Sequence, residues 1–157
     1  MRAGSLKQPS SFDAGGMTFA VIASRWNGDV TDRLLEGALD ALGRAGARRE
    51  DIAVTRVPGA FELVSACRHA ATSGAFSAVV ALGCLLRGAT SHFDVLAHSV
   101  AGGLAHLNAT QSVPIAFGVL TCETRRQAIE RSGGRAGHAG VEAAHAAVEM
   151  AALWKKR

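Results

Sequence analysis

From Met17 onward, short apolar runs alternate with longer stretches whose apolar positions recur at helical spacing. Four runs, Met17–Ala23, Ile52–Val57, Ala78–Leu82 and Val113–Leu120, are β-prone and largely continuous. A run without a regular polar position has no solvent face, so these predict strands covered on both sides, as in a parallel sheet. Between them, Leu35, Leu39 and Leu42 share a helix face that Gly46 ends, and Ala60 to Thr72 is a helical stretch closed by Gly74. Phe93, Leu96, Val100, Leu104 and Leu107 mark a third face. Thr124-Arg-Arg-Gln127 has the form of a capping box opening a short helix to about Arg131, and Val141 to Trp154 is a final Ala-rich helix. The predicted order is β-α-β-α-β-α-β-α-α. Strands alternating with helices imply βαβ crossovers, and so a three-layer α/β/α sandwich around a four-stranded parallel sheet.

Composition narrows the class. The 157 residues carry 17 Lys or Arg and 13 Asp or Glu, a net charge of +4. That excess is terminal, because residues 17–154 hold twelve of each sign. No basic stripe runs through the fold, which argues against a nucleic-acid groove. Hydrophobic residues at 48% exceed what a disordered chain carries, and no apolar run reaches the ~18 residues of a membrane span. Cys67, Cys84 and Cys122 form no CxxC pair, and the six histidines show neither an i,i+4 pair nor HExxH. Neither a disulfide framework nor a metal site is signalled, and a reducing cytoplasm is the expected compartment. Residues 1–16 are Gly/Ser-rich without an apolar core segment, so they read as a mobile or partner-docked arm rather than a secretory signal. Residues 17–157 read as one domain.

In an open parallel sheet, ligands sit beyond the carboxyl ends of the strands. Ser24-Arg-Trp-Asn-Gly28, Pro58-Gly-Ala-Phe-Glu62, Gly83 to His92 and Thr121-Cys-Glu-Thr124 follow the four predicted strands. Trp26, Phe61 and Phe117 are three of the eight aromatics, and all fall at or near this edge. They fit either stacking on a planar ligand or core filling. Arg87-Gly-Ala-Thr-Ser-His92 carries the most chemistry. Gly88 permits a tight turn into a helix whose free N–H groups favour an anion such as phosphate. Ser91 and Asp94 have capping-box spacing. His92 falls in the first turn, where the dipole favours the neutral imidazole a general base needs; the plainer alternative is a capping or solvent-facing histidine. The other five histidines read as helix-surface residues. Arg131 is either a forked phosphate donor or a solvated charge. Neither GxGxxG nor GxxxxGK[ST] occurs.

Together these segments define a recognisable set. Arg25-Trp26-Asn27, Val57-Pro-Gly-Ala-Phe-Glu62, Leu86-Arg-Gly-Ala-Thr-Ser-His-Phe-Asp94, Phe117-Gly-Val-Leu-Thr121 and Gln127-Ala-Ile-Glu-Arg131 resemble the 6,7-dimethyl-8-ribityllumazine synthase family of riboflavin biosynthesis, in order over residues 17–154. The resemblance implies a transferase condensing 5-amino-6-(D-ribitylamino)uracil with 3,4-dihydroxy-2-butanone 4-phosphate, releasing phosphate and water, without redox cofactor or metal. It places Trp26, where the family usually has Phe, on the pyrimidine ring. Asn27 and Ala60-Phe61-Glu62 then meet the ribityl chain and ring edge, and Cys84, Leu85 and Leu86 line the ring pocket. Ala89 and Thr90 bind the phosphate with Arg131, and His92 shuttles protons.

The resemblance further implies a homo-oligomer built on pentamers, some of which stay as pentamers or decamers while others form icosahedral 60-subunit shells, and the short connection Ser132 to Gly140 is like that of shell-forming relatives. Phe117 and Arg131 would reach a neighbour's site, and the N-terminal arm would add a strand to a neighbour's sheet. Two positions depart from the family pattern. Ala139 stands where a Lys near the ligand is usual, with Arg135 and His138 as candidates to take its place, and Cys84 stands where Thr is common. The rival readings are a shell-forming or flavin- or lumazine-binding protein with weakened turnover, and an FMN-binding domain sharing the flavodoxin-like alternation.

Overall fold

The structure is a computed structural model and describes residues 12–155. Four parallel strands, β1 (Phe19–Ser24), β2 (Ile52–Val57), β3 (Ala78–Leu86) and β4 (Ile115–Cys122), lie in the order β2-β1-β3-β4. The helices are α1 (Gly28–Arg44), α2 (Glu62–Thr72), α3 (His92–Thr110), α4 (Arg125–Glu130) and α5 (Ala139–Lys155). A 3-10 turn at Arg49–Asp51 leads into β2, and a small antiparallel hairpin, β5 (Ser132–Gly134) with β6 (Gly137–His138), joins α4 to α5.

Alternation along the strands divides the core in two. Val21, Ala23, Val80, Leu82, Cys84 and Leu120 face α1 and α5, whereas Ala20, Ile22, Val79, Ala81, Leu85 and Val119 face α2 and α3. This is the three-layer sandwich expected. The first core owes its closeness to alanine: α5 presents Ala143, Ala144, Ala147 and Ala151 inward. Where α5 starts, a Cβ on Gly140 would come 2.2 Å from the Leu34 carbonyl oxygen, so only glycine lets the two helices approach this far.

Several boundaries differ from the sequence expectation. β1 starts at Phe19; Thr18 is instead tied sideways, its N–H donating to Ser77 Oγ at 3.1 Å and its hydroxyl to the Ala75 carbonyl at 2.8 Å. β3 runs four residues past Leu82, through the stretch read as a loop, because Gly83, Cys84, Leu85 and Leu86 pair with Val119, Leu120, Thr121 and Cys122. Gly83 therefore serves close approach and not a turn: a Cβ there would lie 3.0 Å from Leu63 and 3.3 Å from the Ser24 hydroxyl. β4 begins at Ile115, after Pro114, which has no N–H to give and accepts at its carbonyl from Val79. The β5–β6 hairpin leaves no mark in the sequence, because strands of three and two residues, three of the five glycine, show no period.

At the amino end, Phe12 packs against the first core, Ala14 and Met17 are buried, and the Ala14 N–H donates to the Ala45 carbonyl at 2.8 Å. Residues 1–11 of the arm lie outside the described residues. Among the described residues, no helix is long and apolar enough to cross a membrane.

Candidate active site

The loops after β1 and β2, the end of β3 and the first turns of α3 enclose a cleft of about 520 Å³. Trp26 and Asn27 come from the first loop, Gly59, Ala60, Phe61 and Glu62 from the second, and Cys84, Leu85, Leu86, Gly88 and Thr90 from β3 and its exit. His92, Phe93 and Leu96 of α3 complete the wall. Ten of the thirteen site residues that the resemblance implies therefore converge here. Phe93 and Leu96 were read as helix face alone; they sit on the first turns of α3, where the core face continues into the cleft.

Local structure explains the placement. Asn27, the residue before α1, takes a left-handed conformation (φ 58°, ψ 49°), which asparagine tolerates better than most residues. Its amide Nδ2 donates to the Cys84 carbonyl at 2.9 Å, joining the β1 loop to the floor strand. The preceding loop is pinned to the β2 exit, with Arg25 N–H donating to the Val57 carbonyl and Trp26 N–H to the Pro58 carbonyl. Glu62 opens α2 and accepts from the Gly59 N–H at 2.9 Å, so one carboxylate oxygen closes the turn. Trp26 is 72% exposed and Phe61 58%, so two aromatic faces stand at an open mouth.

At the α3 end of the cleft, the capping box expected at Ser91 and Asp94 does not form. Ser91 occupies the N-cap in helical geometry with no side-chain capping bond, and the nearest substitute is the His92 N–H donating to Thr90 Oγ1 at 3.4 Å. Asp94 is taken by Arg87, whose Nη1 and Nη2 donate to its two oxygens, each at 3.0 Å. Arg87 Nε also donates to Glu123 at 2.7 Å, and its guanidinium lies 4.6 Å over the Phe93 ring. The hydrogen-bonded Arg87 guanidinium holds the Asp94 carboxyl below its usual range. By contrast, the box at Thr124 is present in both halves, the Gln127 N–H bonded to Thr124 Oγ1 and Gln127 Oε1 accepting from the Thr124 N–H.

Three predicted site residues stand apart from the cleft walls. Ala89 is exposed between Gly88 and Thr90. Phe117, 49% exposed on edge strand β4, lines a separate depression of about 300 Å³ with Ala101, Leu104, Ala105, Asn108 and Ile115. Arg131 follows α4 and turns to its own hairpin, donating to the Ala136 carbonyl at 2.8 Å and to Glu142 at 3.4 Å. Ala139 is buried at the start of α5.

His138, read as a helix-surface residue, lies in β6 with its ring against α1, where a Cβ on Gly37 would come 2.1 Å from it. Burial lowers its pKa, so it is a poor replacement for a lysine charge; Arg135 is exposed in the hairpin turn. Burial also pushes the Cys84 thiol up to about 12, which removes it as a nucleophile at neutral pH. Among the described residues, no group of three or more His, Cys, Asp or Glu is placed to hold a metal ion.

The fold and site define a class: a parallel α/β domain whose strand-end cleft joins exposed aromatic faces to a helix N-terminus and a histidine. The chain belongs to the DMRL_synthase family, 6,7-dimethyl-8-ribityllumazine synthase, whose profile matches residues 16–155. It is 49% identical over 138 residues to the 6,7-dimethyl-8-ribityllumazine synthase of Nitratidesulfovibrio vulgaris, covering 88% of each chain. To the protein of that name from Chlorobaculum tepidum it is 47% identical over 146 residues, 93% of this chain and 94% of the relative. To the one from Syntrophus aciditrophicus it is 50% identical over 143 residues, 91% and 93%.

Proposed function

We propose that the chain is an enzyme condensing 5-amino-6-(D-ribitylamino)uracil with 3,4-dihydroxy-2-butanone 4-phosphate to 6,7-dimethyl-8-ribityllumazine, with loss of phosphate and water. The observation that carries this reading, beside family membership, is the juxtaposition in one cleft of Trp26 and Phe61 with the α3 N-terminus and His92. A flat heteroaromatic ring is held by stacking on exposed aromatic faces. A phosphomonoester is held by the free N–H groups opening a helix.

In this reading Trp26 and Phe61 cover the pyrimidine, and Asn27, its amide N–H already given to Cys84, offers its side-chain oxygen to the ligand. Glu62 has one carboxylate oxygen beyond the bond to Gly59 for the ribityl hydroxyls. Ala89 and Thr90 lead the phosphate to α3. His92, beside them, moves protons during imine formation, phosphate elimination and ring closure. Holding the two reactants in register supplies most of the acceleration, since effective molarity contributes up to about 7–11 kcal/mol.

The assembly is a homo-oligomer built on pentamers. Its support is the open cleft mouth together with the position of Phe117 and Arg131, which are away from the cleft of their own chain. A neighbouring copy brings them to it. Among the described residues β2 and β4 are the sheet edges, and β2 offers its free side to an arm from another copy. Shell formation is the larger assembly this reading favours, and a bare pentamer in sedimentation at physiological salt would contradict it. The domain is residues 17–157, joined at its amino end by residues 12–16, which pack on its core, and its place is the cytoplasm.

The test is direct. Protein mixed with both substrates should develop lumazine fluorescence at a rate proportional to protein concentration, and omission of either substrate should abolish it. A rate no greater than that of the protein-free mixture would overturn the reading.

A further inference from the structure

The start of α3 is held from outside the helix. Its N-cap hydroxyl makes no capping bond, and the acid that spacing assigns to a capping box is engaged elsewhere. We propose that Arg87 is a positioning residue for the phosphate end of the cleft: by gripping Phe93 and Asp94, the two residues after His92, it sets the direction of the His92 imidazole and of the first α3 N–H groups. The proposal rests on the reaction assigned above.

Three features carry it. Arg87 presents a planar fork to both Asp94 oxygens at 3.0 Å, the geometry in which guanidinium fixes angle as well as distance. The same group lies 4.6 Å over Phe93, a residue of the cleft wall, so helix azimuth and ring position are set together. Its third edge, Nε, holds Glu123 at 2.7 Å in the turn before α4, which ties the α3 start to the exit of β4. Arg87 itself does not line the cleft, while its neighbours Leu86 and Gly88 do. It acts through the helix and not on the phosphate.

The pair is half exposed, at 38% and 46% of the side chains, so its worth to stability is small. Its worth to geometry is not, since a misplacement of ~1 Å at a reacting group can cost about 10²-fold in rate.

Charge-conserving variants separate geometry from charge. Arg87→Lys keeps the cation and loses the fork, and Asp94→Glu keeps the anion and moves it. In the full assembled chain, each should lower kcat about tenfold, leave the KM for the pyrimidine within about twofold, and shift the melting temperature by no more than a few degrees. The double variant should be no slower than either single one, as members of one unit behave.

Titration with inorganic phosphate gives a readout that needs no turnover, and both variants should bind it about tenfold more weakly than the unaltered protein. Wild-type kcat and phosphate affinity in both variants would overturn the proposal. So would losses that multiply in the double variant. If the unaltered protein made no lumazine, the assigned reaction would fall, and the phosphate titration would still decide whether Arg87 orders the α3 start.

Discussion

The β1–β3 cleft and the α4–hairpin segment both carry residues assigned to the proposed reaction, yet they differ in how they are held. The cleft floor is fixed mainly by backbone: β3 pairs with β1 as far as Leu82 and with β4 as far as Leu86, and the β1 loop donates its own N–H groups to the exit of β2, with the Asn27 side chain adding one bond to the Cys84 carbonyl. Its walls are therefore formed before ligand arrives. The α4–hairpin segment adds to its backbone bonds a larger set of side-chain ties, the Thr124–Gln127 box, the Arg125–Asp29 ion pair and Arg131 bonding to Ala136 and Glu142. It displays Arg131 at a distance from the cleft of its own chain. On the proposed reading, stacking and proton transfer stay in one subunit and the phosphate cation comes from the next, which would tie turnover to assembly.

The predicted effects on the two regions descend in size. His92→Ala, a cleft variant, should lower kcat by about 10²–10⁴-fold while both substrates still bind, as calorimetry would report, because one positioned acid–base group supplies a rate factor of that order. Loss of binding would instead make His92 a structural residue. Arg131→Ala, a hairpin variant, should raise the KM for the butanone phosphate about 10- to 100-fold, the worth of a hydrogen bond to a charged group, with little change for the pyrimidine. Equal rises for both substrates would place Arg131 nearer the ring than the phosphate. Trp26→Ala should weaken pyrimidine binding about 3- to 10-fold, the contribution of an aromatic pair beyond its area, and leave the phosphate substrate alone.

The smallest effect is on pH. Burial lowers the His138 pKa from 6.5, so the unfolded chain takes up the proton first. The stability this neutral imidazole contributes is complete above that value and is lost as pH falls below it toward the lowered folded pKa. Melting temperatures followed downward from neutrality should drop less steeply for His138→Gln than for the unaltered chain. Parallel slopes would show that the hairpin does not hold His138 neutral.

How far the chain could be read depended on the range of the interaction. The sheet and its helices were legible because period alone marks them, and the Thr124 box was legible because both partners lie within four residues. The extension of β3 through Gly83 was not, since only pairing with β4 and the nearness of Leu63 reveal why a glycine continues a strand. The box at Ser91 had the right spacing and failed because Arg87, outside the motif, bonds Asp94. His138 read as a surface residue because nothing in its neighbourhood signals that Gly37, far off in the chain, leaves room for an imidazole. Most of the cleft was named from motifs following the strands; Phe93 and Leu96 were not, because their spacing is that of any core face.

On the proposed reading, a complete site takes its histidine from one chain and its arginine from another. Co-assembly of His92→Ala subunits with Arg131→Ala subunits tests it most directly, with turnover followed by lumazine fluorescence at low butanone phosphate. Random mixing of equal amounts should restore about a quarter of the unaltered rate, because only an Arg131→Ala cleft facing an intact arginine on a His92→Ala neighbour has both groups. A mixture no more active than the mean of its two parents would contradict a shared site.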